Sequence, residues 1–212
     1  METMKTILCY GDSNTWGTDP VSNDRFDRDD RWPGVLRLEL GEDYLVIEEG
    51  LGGRTTVWND PVEGYHKNGK DYLLPCLETH RPLDLVIIML GTNDLKKRFS
   101  ASAFDIANGV GVLVDVVHKS AAGRNGGVPK VLVLTPPPLG KLTEYAEMFE
   151  GAEAKSRKLS EHYRRVAQEK GCALLDTAQV IVSSDLDGIH FEKSEHQKLG
   201  RAVAARVREI LR

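Results

Sequence analysis

Five short apolar runs, each cut off by glycine, proline or a polar cluster, alternate along the chain with longer stretches whose apolar residues recur every three or four positions. The runs cover residues 7–10, 46–49, 85–90, 131–134 and 173–175. A continuous run such as Leu85-Val86-Ile87-Ile88-Met89-Leu90 reads as a strand buried on both faces. Between the runs, Trp32, Val35, Leu36 and Leu40 form one helical stripe. Tyr72, Leu73, Cys76 and Leu77 form a second, and Ile106, Val110, Leu113, Val114 and Val117 a third. All three are expected to pack on a sheet. Pro136-Pro137-Pro138 forbids further ladder bonding after the fourth strand. A charged helical stretch follows over residues 143–170, interrupted near Gly151. Ser194 and Gln197 are placed to form a capping box for a last helix with Leu199, Val203, Val207 and Leu211 on its inner face.

Buried strands alternating with amphipathic helices imply an α/β fold of three layers, a five-stranded parallel sheet with helices on both faces. No linker or shift of composition divides residues 1–212, so one domain is expected. Right-handed crossovers suggest the flavodoxin-like strand order 2-1-3-4-5, with the first three strands adjacent. The formal net charge is −4, from 28 basic and 32 acidic residues without a basic run. That balance argues against nucleic acid or an anionic membrane as partner and favours a neutral or weakly charged substrate. Cys9, Cys76 and Cys172 are widely spaced in apolar contexts, as expected of free buried thiols in a reducing compartment. No run reaches membrane-spanning length and no signal-like segment precedes the first strand, so a cytoplasmic protein is expected.

The candidate chemistry lies just past the strand ends, where open parallel sheets bind ligands. The first strand ends in Gly11-Asp12-Ser13-Asn14, a hydroxyl on a sharp turn. Gly50-Leu51-Gly52-Gly53 follows the second strand and leaves backbone N–H groups open. Gly91-Thr92-Asn93-Asp94 follows the third and offers the Asn93 side-chain N–H. Near the carboxyl end, Asp187-Gly188-Ile189-His190 puts a carboxylate and an imidazole on one turn, so the carboxylate can accept from Nδ1 and leave Nε2 as a base. Each residue also has a simpler reading: Ser13 or Asn93 with Asp94 could cap a helix, and Asp187-Gly188 is an ordinary turn. Asp12 is expected to be structural. The other histidines, His66, His80, His118, His162 and His196, show no metal-ligand spacing, so neither a metal nor a cofactor is expected.

Taken together, these four blocks resemble the SGNH or GDSL hydrolases. The stretches Glu48-Glu49-Gly50-Leu51 with Arg54-Thr55-Thr56, and residues 83–94, look like the arylesterase and acyltransferase branch. The resemblance implies Ser13 as nucleophile, Asp187 and His190 as its partners, and an oxyanion hole from the Ser13 and Gly53 amides and the Asn93 side chain. It supplies what spacing does not, the return of the 187–190 loop to Ser13. Asn14 stands where the family usually has Leu, which bears on the pocket beside the nucleophile. The α/β-hydrolase Gly-x-Ser-x-Gly elbow is absent. The implied substrates are short-chain acyl or aryl esters, with acyl transfer to alcohols where water is excluded. A carbohydrate acetylesterase or a thioesterase would use the same groups. A flavodoxin-like phosphate or FMN module is the reading from another class, opposed by Asp12 and by the lack of a phosphate-binding glycine loop. Loops 16–31, 54–68 and 135–151 are expected to rim the pocket, with Asn14, Trp16 and Trp58 as candidate substrate contacts. The rim aromatics could equally pack on their own loops or a neighbouring subunit, and members of this branch often form homo-oligomers.

Overall fold

The computed structural model describes residues 4–212. Strands β1 (Lys5–Gly11), β2 (Tyr44–Gly50), β3 (Leu85–Met89), β4 (Lys130–Thr135) and β5 (Ala173–Asp176) form one parallel sheet in the order β2-β1-β3-β4-β5. This is the expected topology. Successive side chains on a strand point to opposite faces, so each central strand feeds two cores. Leu8, Tyr10, Val86, Ile88, Val131 and Val133 face helices α3 (Gly69–His80), α4 (Ala103–Lys119) and α6 (Leu159–Lys170). Ile7, Cys9, Leu85, Ile87, Leu132 and Leu134 face α2 (Trp32–Leu40) and α7 (Lys193–Ile210). Full burial of each aliphatic side chain contributes about 1.5–3 kcal/mol, which is why the middle strands are apolar throughout. Two short helices complete the set: α1 (Ser13–Trp16), one turn past β1, and α5 (Ala152–Ser156) before α6.

Two local expectations fail. Tyr72 is 42 % exposed and stays outside the buried core; its ring stacks on that of Tyr10 with centroids 6.4 Å apart, and the Arg54 guanidinium lies against both rings. The capping box of the last helix does not form. Glu192 is the N-cap residue and α7 starts at Lys193, so Ser194 already lies inside the helix, where its hydroxyl meets the Glu195 carboxylate. The Glu192 side chain accepts from Ser184 Oγ and makes no cap bond.

Helices α2 and α7 lie in close contact. Gly200 allows this, since a Cβ there would stand 2.5 Å from Val35 Cβ and 2.9 Å from the Trp32 carbonyl oxygen. Beside it His196 is fully buried, and its Nδ1 accepts from the Trp32 amide at 3.2 Å. The ring edge meets Phe26 and Phe191, with centroids 5.4 and 5.5 Å away. Burial, with smaller effects of the His190 and Arg31 charges, pushes its pKa down to about 3. An unfolded chain protonates this imidazole near its ordinary value and the folded chain only near 3. Its contribution to stability is therefore complete above about pH 6.5 and is lost as pH falls toward 3, at up to about 1.4 kcal/mol per pH unit. In His196→Asn an amide oxygen can still accept from Trp32 while the titration is gone. Urea unfolding is expected to find this variant less stable than the parent at pH 7, with the gap about 2 kcal/mol narrower at pH 5. An unchanged gap would rule out His196 as the source of this acid sensitivity.

Candidate active site

The register of the sheet brings the three strand-end turns together. Gly11 pairs with Gly50 on one side and Met89 on the other, so β1, β2 and β3 end level. At the end of β1, Asp12 is the N-cap of α1 and accepts the Asn14 amide at 3.0 Å. The capping role thus falls to Asp12. Ser13 is the first helical residue, its amide has no intrahelical partner and its hydroxyl is free for another bond. Asn14 Nδ2 donates to the Ile189 carbonyl at 3.2 Å, tying this turn to the loop after β5.

That loop carries His190 to the turn bearing Ser13. His190 Nε2 is 3.0 Å from Ser13 Oγ, and Nδ1 is 2.6 Å from Asp187 Oδ2. With the carboxylate holding the proton on Nδ1, Nε2 accepts from the hydroxyl. The other oxygen of Asp187 accepts the amides of Ile189 at 2.8 Å and His190 at 2.9 Å, so the residue forms the turn and orients the ring together. Burial raises the Asp187 carboxyl, but the hydrogen bonds from the His190 ring and the two amides outweigh it and hold the pKa below the ordinary value. Asp187 is 3 % exposed, His190 7 % and Ser13 9 %.

Gly53 and Asn93 lie with Ser13 in the lining of one cavity. Gly53 has φ +78°, a region that favours glycine, and a Cβ on it would overlap Glu63 Oε2. Its amide has no backbone acceptor among the described residues. Asn93 begins a single 3-10 turn after β3 and does not cap it. One hydrogen of Nδ2 is directed to the Arg54 carbonyl at 3.2 Å, leaving the other for a ligand. Asp94 is buried and accepts the Thr56 amide at 3.0 Å together with the Thr56 hydroxyl. Arg54, itself 2 % exposed, donates to the carbonyls of Gly11 and Glu49 and so ties the first two turns together.

A cavity of about 210 Å³ opens over these groups and is lined by Ser13, Gly53, Asn93 and His190. Tyr145, Met148, Phe149 and Ile189 supply its apolar lining, and the Tyr145 ring meets His190 edge-on at 6.4 Å. Thr18, Asn23, Glu63 and Lys96 supply polar groups. All three expected rim loops therefore contribute, but the expected contacts Asn14, Trp16 and Trp58 are not among the lining residues. Asn14 is buried, with its Nδ2 bonded to the Ile189 carbonyl. Trp16 lies under the Arg25 guanidinium at 5.1 Å, and Trp58 packs against the α3/α4 core. The sequence reading missed Glu63 and Lys96, isolated charges with no periodicity or motif to mark them.

A larger groove of about 630 Å³ lies beside the end of β2, lined by Leu51, Tyr65 and Tyr72, and it includes neither Ser13 nor His190. Nearby, one atom each of Glu49, Cys76 and His80 lie within 4.8 Å of one another, a donor set the sequence spacing hid because Glu49 comes from another element. These donors already serve each other. His80 Nε2 is 2.9 Å from Glu49 Oε1, and burial with the Glu49 charge pushes the Cys76 thiol up to about 12, so it keeps the proton a metal would have to displace.

Residues 9–198 match the GDSL-like lipase/acylhydrolase family. Among solved structures, the chain is 46 % identical to an aryl esterase of M. smegmatis, with a TM-score of 0.93 over 97 % of this chain and 99 % of that one. It is 40 % identical to a carbohydrate acetylesterase from Sinorhizobium meliloti, with the same TM-score and the same shares covered. A member of the lipolytic G-D-S-L family from Veillonella parvula, 16 % identical, shares the fold at a TM-score of 0.68 over 96 % of this chain and 99 % of that one. No curated protein matches the chain significantly.

Proposed function

The chain belongs to the GDSL-like lipase/acylhydrolase family and is a carboxylic ester hydrolase, and from that premise we propose that it cleaves short-chain acyl or aryl esters through an acyl-enzyme on Ser13. The observation that carries the reading is the chain of hydrogen bonds from Ser13 Oγ through His190 to Asp187, at 3.0 and 2.6 Å. His190 Nε2 takes the hydroxyl proton as Oγ attacks the ester carbonyl, and Asp187 stabilises the imidazolium that forms. The carbonyl oxygen becomes an oxyanion bound by the amides of Ser13 and Gly53 and by Asn93 Nδ2. Donors fixed by the fold stabilise a transition state without having to reorganise, which favours these three groups for the role. Collapse of the tetrahedral species expels the alcohol, which takes the proton from His190. Water then attacks the acyl-enzyme with His190 again as base, and an alcohol in its place gives acyl transfer.

The small cavity and its apolar lining suit a short acyl chain. No helix among the described residues is long and apolar enough to cross a membrane. The three free thiols suit a reducing compartment such as the cytoplasm. Self-association is part of the same reading. Tyr65, 65 % exposed, and Tyr72 line the groove beside β2 and would be covered in a homo-oligomer.

Three measurements test these statements. Brief exposure to a fluorophosphonate is expected to label Ser13 stoichiometrically, read by intact mass and peptide mapping, with labelling lost in His190→Ala; a folded sample that takes no label would reject the mechanism. Asn93→Ala is expected to lower kcat by about 10²–10³, equivalent to about 3–4 kcal/mol of barrier, while the variant still takes the label. Light scattering is expected to give a mass that is a multiple of 23.5 kDa, and a monomer at micromolar concentration would remove the oligomer.

A further inference from the structure

We propose that the free oxygen of the Glu63 carboxylate is the acceptor for a hydroxyl of the substrate, so that the ester this site selects is a short-chain ester of a polyhydroxy compound, such as an acetylated sugar, over a plain aryl ester. The inference rests on the esterase reading above and names its substrate class. Glu63 lines the cavity. Its Oε1 accepts from Lys96 Nζ and from Arg98 Nη2, the latter at 3.3 Å. No protein group among the described residues donates to Oε2, which is the oxygen a Cβ on Gly53 would overlap. A carboxylate oxygen therefore stands open beside a proposed oxyanion donor.

The surroundings hold it there. Asp60, fully buried, accepts the amides of Val62 at 2.8 Å and Glu63 at 2.9 Å and pairs with Arg98 at 3.1 Å. Lys96, 4 % exposed, extends along the cavity to the carboxylate. An uncompensated negative charge here would oppose an oxyanion forming at Gly53, and the Lys96 and Arg98 cations offset it. What remains is an oriented acceptor with an unused lone-pair face. It accepts and cannot donate, so it selects hydroxyl donors and disfavours anionic esters. A substrate without a hydroxyl would cover the oxygen and leave it unpaired, the situation in which a polar site discriminates most strongly. Thr18 and Asn23, also in the lining, offer further polar contacts, while Tyr145, Met148 and Phe149 suit the acyl chain.

The test compares kcat/KM for 6-O-acetylglucose and phenyl acetate in the parent, Glu63→Gln and Glu63→Ala, with melting curves to establish folding. Glu63→Gln keeps an amide oxygen for Lys96 and carries the test if the alanine variant does not fold. The ratio of acetylglucose to phenyl acetate is expected to fall about 10- to 100-fold in Glu63→Ala and roughly tenfold in Glu63→Gln, mainly through KM. A ratio unchanged in both variants would overturn the proposal, whether the two rates fall together, as for a scaffold residue, or not at all. A parent enzyme that turns over phenyl acetate and takes the fluorophosphonate on Ser13, yet leaves acetylated sugars intact, would overturn the substrate class and leave the esterase reading standing. A parent inactive on both esters and unlabelled would remove the esterase reading and this inference with it.

Discussion

The site depends on one constraint, that β1 pairs in parallel with β2 on one side and β3 on the other and all three end at the same height. Both faces of β1 and β3 are buried, so a slip of one residue would send Ile7 and Cys9 to the opposite core and leave every packed contact unmatched. The register is therefore held by the full hydrophobic cores. Ser13, Gly53 and Asn93 inherit their closeness from it, since each lies two to four residues past a strand end. Side-chain ties then set the last ångström. Arg54 bonds the carbonyls of Gly11 and Glu49, Asn93 bonds the Arg54 carbonyl, and Asp94 bonds Thr56.

Three buried carboxylates around this junction show how local donors decide charge. Asp12, Asp94 and Asp187 are all at most 3 % exposed. Burial pushes Asp12 up to about 6 against the Asn14 amide and the nearby charges of His190 and Arg54. Burial likewise takes Asp94 to about 6 despite its bonds from Thr56, with the Asp12 charge adding to the rise. Only Asp187, with an imidazole and two amides as donors, is held below the ordinary value. Of the three it is the one whose bonds favour the charged form most, and it is the one touching His190. The acid next to the proposed nucleophile thus loses charge readily, while the acid behind the imidazole keeps it.

Outside the strand ends, the cavity is assembled from loops with separate structural duties. Asp60 organises the segment bearing Glu63 through two amides and an arginine. Residues 145–149 fold as turns ahead of α5, and the Met148 carbonyl accepts the Lys97 amide at 2.8 Å, which fixes this segment against the turn after β3. Such loops can vary without disturbing the sheet that places Ser13 and Asn93. The same fold is shared by an aryl esterase and a carbohydrate acetylesterase.

The strands, the two-sided sheet and its order were legible from the apolar runs, because continuous burial on both faces leaves few polar positions in residues 85–90 or 131–134. The groups at the strand ends were legible as candidates, because Ser13, Gly53 and Asn93 follow directly from where each run stops. Asp12 was expected to be structural, while tertiary structure decided which of two roles Ser13 and Asn93 take. Asp12 does the capping and so frees Ser13, while Asn93 spends one hydrogen on Arg54 and caps nothing. It also decided that Trp16 and Trp58 pack away from the cavity while Glu63 and Lys96 enter it. The reason is range. A strand and its facing are set by neighbours two to four residues away. The partners of Glu63 and His190 lie 33 and 177 residues off, and only the packed sheet brings them together.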